Sequence, residues 1–182
     1  MNLAAAYGLL AHGLIFGAIA ALLPLGEFRP RVALAGTAIA LIAGIAPAMH
    51  GHFGAPSLTL LQLALLQLAN RTPSPFSERP AFGLLLFALP FYSIAFGWGP
   101  FDPYGLGYQP WALLAGLIPV GVALFWRRMN VWLTILAIDI AGYAVGLFTN
   151  LWDALIDPLL VLLALAIAGR RCVILVIASR NR

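Results

Sequence analysis

Seven apolar runs recur along the chain with no amphipathic segment between them, and nothing else in the sequence constrains its fold as strongly. They are Leu3–Leu25, Val32–Met49, Leu58–Ala69, Ala81–Trp98, Trp111–Trp126, Val131–Phe148 and Ala154–Ala168. A helix that is hydrophobic all round has no side to offer water. Charged residues make up 9% of the 182 positions, where a soluble domain carries about a quarter. The expectation is an all-α integral membrane protein built as a seven-transmembrane-helix bundle. One span takes about 20 apolar residues, within a range of roughly 17–25. The third and seventh runs are therefore short, and reach across only if Ser57 and Asp153 enter the interface. Met1-Asn2-Leu3 carries no basic leader, and the run to Leu25 exceeds a signal-peptide core, so the first run is expected to be a retained helix.

The arginines orient the bundle. Every basic charge apart from histidine is an arginine, and lysine is absent. With seven spans, Arg29, Arg31, Arg71, Arg79, Arg127, Arg128, Arg170, Arg171, Arg180 and Arg182 all fall on one side. His50, His52, Asp102, Asn150 and Asp153 fall on the other. Excess arginine marks the cytoplasmic face, so the N-terminus is expected outside and the C-terminus in the cytoplasm. Residues 1–171 read as one polytopic helical domain and 172–182 as a short cytoplasmic or interfacial tail. The location expected for such a chain is a bacterial inner (cytoplasmic) membrane. The formal charge of +4 invites a nucleic-acid reading, but arginine pairs beside apolar runs are membrane anchors. The expected partners are the lipid bilayer and other membrane subunits, with no nucleic acid. Cys172, the single cysteine, rules out an internal disulfide.

Between the spans the loops are small. Asn70–Pro80 is a proline- and serine-rich turn whose Asn70-Arg71-Thr72 sequon is a chance match on the cytoplasmic side. Gly97–Pro110 carries Trp98, Phe101, Tyr104 and Tyr108, with Trp111 just beyond, and reads as an aromatic belt at the outer interface. Gly13 and Gly17, then Gly36, Ala40 and Gly44, then Gly142 and Gly146 repeat small residues every four positions. Helices one, two and six are expected to meet closely along those stripes. Pro47, Pro90 and Pro119 should bend helices two, four and five.

Few polar residues fall inside the spans, and those are the candidate binding residues: His12, Gln62, Tyr92, Asp139 and Asp157. At 1.5 Å per helical residue, His12 lies roughly 14 Å below the outer end of its helix and Asp139 roughly 16 Å above the inner end of its own. Tyr92 shares that layer, with Gln62 and Asp157 nearer the outer side. The spacing suggests a His12–Asp139 hydrogen bond, serving as a proton relay or polar ligand site, or else a satisfied buried pair or a simply protonated Asp139. Met49, His50 and His52 offer soft and imidazole ligands in a short stretch, yet two interface histidines explain them better than a metal site. Asp153 and Asp157 sit where carboxylates favour a helix N-terminus.

Several chemistries are excluded. Without lysine no retinal Schiff base can form. The histidines lie at two depths, which disfavours a bis-histidine haem. There is no GxSxG, no HExxH and no phosphate-binding glycine loop with lysine. No catalytic residue, metal or cofactor is expected, and the chain is not read as an enzyme. The leading expectation is a small non-catalytic accessory or assembly subunit of a larger membrane complex. The alternative is a small proton-coupled transporter or channel using the His/Asp layer.

Overall fold

The computed structural model describes residues 3–69 and 74–180, and among them the chain is all helical with no strand. The sequon at Asn70–Thr72, with Arg71 and Arg182, lies outside the described residues. In chain order the helices are α1 (Leu3–Ala20), α2 (Arg29–Ile42), α3 (Ile45–Phe53), α4 (Leu58–Ala69) and α5 (Glu78–Ser93). They continue as α6 (Trp111–Trp126), α7 (Asn130–Ala144), α8 (Leu151–Leu155) and α9 (Pro158–Arg180). Each apolar run has become helix. Three stretches are long and apolar enough to cross a membrane: Leu3–Ala20, Glu78–Trp98 and the α8–α9 segment Leu151–Ser179. The bent pair Gly26–Ile42 and Ile45–Phe53 makes a fourth if taken as one span.

A mostly apolar core also encloses polar side chains, while many large apolar ones lie on the surface. His12, Ser57, Thr59, Gln62, Asp139, Asn150 and Asp157 are buried, while Ile42, Leu86, Phe96 and Trp126 are at least 80% exposed. Such a surface is stable against hydrocarbon and costly against water. That exposed apolar surface, like the length of three helices, is compatible with a membrane.

The second run breaks at Gly44, not at Pro47. Gly44 takes a left-handed conformation (φ 78°) and the helices on either side diverge by 68°. Pro47 stands in the first turn of α3, where its missing N–H would have had no partner anyway. Only glycine adopts the left-handed turn without a steric penalty. Pro90 is followed by a π-type turn over Ile94–Trp98, in which Gly97 (φ 95°) reverses the backbone. α6 runs unbroken through Pro119.

α1 and α2 form the closest helix pair. Gly17 faces Thr37 and the Ala33 carbonyl, Gly36 faces Ala20, and Gly13 faces the Leu41 side chain. The expected third member of this group is elsewhere: Gly142 of α7 abuts Leu58 of α4. α5 and α9 make a second close pair over Ala81, Ala88, Ala164 and Ala168, which are all but fully buried. Residues 172–180 do not form a separate tail lying along the interface. They continue α9 without a break as far as Arg180, since Cys172–Ala178 contains no residue that stops a helix.

The turn between α6 and α7 closes α6 with two capping bonds, Arg128 N–H to Phe125 O (3.0 Å) and Met129 N–H to Leu124 O (2.9 Å). Arg128 occupies the left-handed position (φ 57°) that glycine usually fills.

Candidate functional site

α4 organises the polar interior. Ser57 caps its N-terminus, its Oγ accepting the Leu60 N–H at 3.2 Å. Thr59 and Gln62, three residues apart, share one face, and that face meets α7. Thr59 Oγ1 donates to Asp139 Oδ2 at 2.6 Å and Gln62 Nε2 donates to Asp139 Oδ1 at 2.8 Å. Gln62 Nε2 also lies 3.3 Å from the Ile135 carbonyl. Both carboxylate oxygens of Asp139 are thus engaged, and the residue is 1% exposed.

A second carboxylate joins α4 to α9. Asp157 caps α9, accepting the Leu160 N–H at 2.9 Å, with Pro158 at the first helical position. Ser57 Oγ donates to the same oxygen at 3.1 Å. The N-termini of α4 and α9 therefore meet at one buried carboxylate, where both helix dipoles favour negative charge.

The non-helical link ahead of α4 leaves carbonyls without helical partners. α1 supplies the partners. Tyr7 Oη donates to Pro56 O at 2.8 Å, and His12 Nε2 lies 2.9 Å from Gly54 O. The expected His12–Asp139 pair is therefore not formed. Each serves a different part of the segment around α4: His12 the link before it, Asp139 the helix itself. His12 also faces His50, ring centroids 6.2 Å apart and edge-on. His50 Nδ1 is the one buried side-chain nitrogen or oxygen without a partner among the described residues.

Tyr92, the fifth candidate, stands apart from this seam. It packs against the α5–α9 core, edge-on to Phe91 (5.2 Å) and stacked with Phe96 (6.1 Å). Of the five candidates, only Gln62 and Asp139 touch. Ser57, Thr59 and Tyr7 complete the seam and were missed. Ser57 immediately before an apolar run, and Asp157-Pro158 likewise, carry the pattern of helix N-caps. No local signal marks Thr59.

A separate polar knot sits at the start of α8. Asn150 caps it, Oδ1 accepting the Trp152 N–H at 2.8 Å, while Nδ2 donates to Tyr104 O at 3.1 Å. Trp152 Nε1 donates to Pro103 O at 2.9 Å, and Tyr104 Oη donates to Asp153 Oδ1 at 2.7 Å. A Cβ on Gly107 would overlap the Asn150 side chain. The loop expected as an aromatic belt is thus fastened through Tyr104, while Trp98 and Trp111 face outward. Burial, and after it the bond to Asp153, pushes the Tyr104 hydroxyl above its ordinary value, keeping it a donor.

Chemically, the seam holds helices together. Its carboxylates meet hydroxyl, amide and backbone donors. Among the described residues no group of three histidine, cysteine or carboxylate side chains is placed to hold a metal. No protein-family model, no curated protein and no solved structure matches the chain.

Proposed function

We propose that this protein is a non-catalytic accessory or assembly subunit, crossing a bacterial inner membrane seven times and docking through α6 onto another membrane subunit. The observation that carries this reading is α6 itself. It contributes no buried residue: Leu113, Leu114 and Leu117 lean against the Leu58, Phe148, Leu151 and Ala154 cluster, and the helix lies beside α7 and the short turn at Gly105–Gly107. Its outer face presents Ala112, Gly116, Pro119 and Ala123, all exposed. Spacings of four, three and four place them on one stripe, the smooth surface on which a second membrane helix can approach closely. The transport alternative lacks such support, because Asp139 is sealed by its donors and lines neither of the two cavities described below.

Gly116→Leu tests the docking face, since a Cβ there meets nothing within 4 Å in the chain itself. The protein extracted from its own membranes in mild detergent should migrate as a complex with unlike subunits. Gly116→Leu should release a chain of unchanged melting temperature. Equal mass for wild type and variant, or a wild type that runs alone, rejects the subunit reading.

The seven-span scheme asks short helices to cross. α4 has 12 residues, about 18 Å of rise, against roughly 30 Å of hydrocarbon. The non-helical link Gly54–Ser57 adds at most about 13 Å, and its carbonyls are met by Tyr7 and His12. That combination supports the third span. α6 and α7, with 16 and 15 residues, rise about 24 and 22 Å, which modest bilayer thinning accommodates. Single cysteines in a Cys172→Ser background should place Gly54 and Gly105 outside and Ser74 inside. Labelling of Ser74→Cys by an impermeant reagent added to the outer face rejects the scheme.

A further inference from the structure

Two cavities run end to end along α9. The deeper one, about 640 Å³, lies between α1, α4 and α9 and is walled by Ile15, Leu60, Leu63, Ala64, Leu159 and Leu163. His12 and Met49 also line it, as do Gln67, Ser74 and Arg170. The second, about 670 Å³, continues from there over Ser77, Glu78, Arg79 and Arg171. Phe76, Ile167 and Arg170 line both, so the two adjoin, an apolar barrel beside a cationic mouth. Each part has the volume of a small-molecule site, about 300–1,000 Å³. The apolar part follows α9 from Leu159 to Arg170, about 17 Å of helix rise.

Charge at the mouth is not self-neutralised. Arg171 pairs with Glu78 at 3.3 Å, and among the described residues Arg79 and Arg170 form no ion pair. Two free guanidiniums, with the Ser74 and Ser77 hydroxyls beside them, form a donor set suited to a phosphate group. The rim of the barrel, Ile19, Leu22 and Leu162, is more than half exposed, so the groove opens sideways, where a lipid chain could enter from the bilayer.

We propose that this groove holds one anionic glycerophospholipid, its phosphate between Arg79 and Arg170 and one acyl chain in the barrel between α1, α4 and α9. Arginines near an inner leaflet attract anionic lipid in general. What distinguishes this pair is its position over an apolar channel, which binds chain and head together. The inference is independent of the docking role given to α6.

Native mass spectrometry of the full chain in detergent, titrated with phosphatidylglycerol or phosphatidylcholine of identical chains, tests it. One phosphatidylglycerol should bind at least tenfold more tightly than phosphatidylcholine. Arg79→Gln and Arg170→Gln should each weaken it about fivefold, the factor expected for one arginine near a lipid head. Ala64→Phe should weaken both lipids by filling the barrel; if it does not fold, Leu163→Phe at the more open rim takes its place. Equal binding of the two lipids, or arginine variants that bind like wild type, overturns the proposal. So does displacement of phosphatidylglycerol by equimolar inorganic phosphate, which would assign the mouth to a free anion. A bound mass equal to a second copy of the chain would make the groove a dimer contact and overturn it equally.

Discussion

Gly17→Leu is expected to leave little or no folded protein. α1 and α2 touch backbone to backbone at this point: a Cβ on Gly17 would overlap Thr37 Oγ1 and lie 2.8 Å from the Ala33 carbonyl oxygen. Thr37 cannot simply turn aside, because its hydroxyl is bonded to that same carbonyl at 3.0 Å. Overpacking a well-filled site costs about 1–3 kcal/mol and occasionally more. With backbone as the obstacle the cost should reach or exceed the upper figure, enough to unfold a marginal chain. Gly142→Leu should be milder, since the atom in its way is the flexible tip of Leu58. Gly116→Leu should melt with the wild type. Melting temperature in one detergent, followed by fluorescence-detected gel filtration, ranks the three. If Gly17→Leu and Gly116→Leu melt together, α1 and α2 do not meet as described.

That ranking shows where the sequence is legible and where it stops. A glycine repeat identifies a smooth helix face, and for α1 and α2 the faces found each other because the two helices are neighbours in the chain. For Gly142 the face was read correctly but the neighbour was not. Periodicity carries no information about which distant helix arrives, and Leu58 of α4 occupies the stripe. Asp139 and His12 fail to pair for the same reason. Counting residues along a helix estimates depth but says nothing of direction around the bundle. The break at Gly44 is a competition between two residues whose local rules were both known. Proline in a first turn is harmless, so the left-handed glycine decides. The long α9 was hidden by Arg170 and Arg171, which suggest a membrane boundary without ending a helix.

Asp139 should prove a tie rather than a proton carrier. Its two oxygens accept Thr59 Oγ1 and Gln62 Nε2, and these bonds join α4 to α7 where Gly142 and Leu58 also touch. Asp139→Asn keeps size and polarity. Its amide oxygen can still accept Gln62, while the Thr59 hydroxyl, which accepts as well as donates, can turn to meet the new NH₂. The expected cost is under about 1 kcal/mol, the scale of one net hydrogen bond. Asp139→Leu has no such recourse. It strands two buried donors, each costing about 1–3 kcal/mol, so the loss should be several times that of Asp139→Asn. A second substitution that removes the stranded donors should recover part of it, and Asp139→Leu with Thr59→Val and Gln62→Leu supplies that rescue. Proton flux in liposomes separates the tie from a relay. Wild type and Asp139→Asn should leak alike under an imposed pH gradient, because a tie has no proton to pass. A gradient-driven flux present in wild type and abolished in a normally folded Asp139→Asn would make titration the function and restore the transport reading. A collapse of Asp139→Asn in the melting assay would show that neither oxygen can be replaced by an amide, and that the fold requires an ionised carboxylate between α4 and α7.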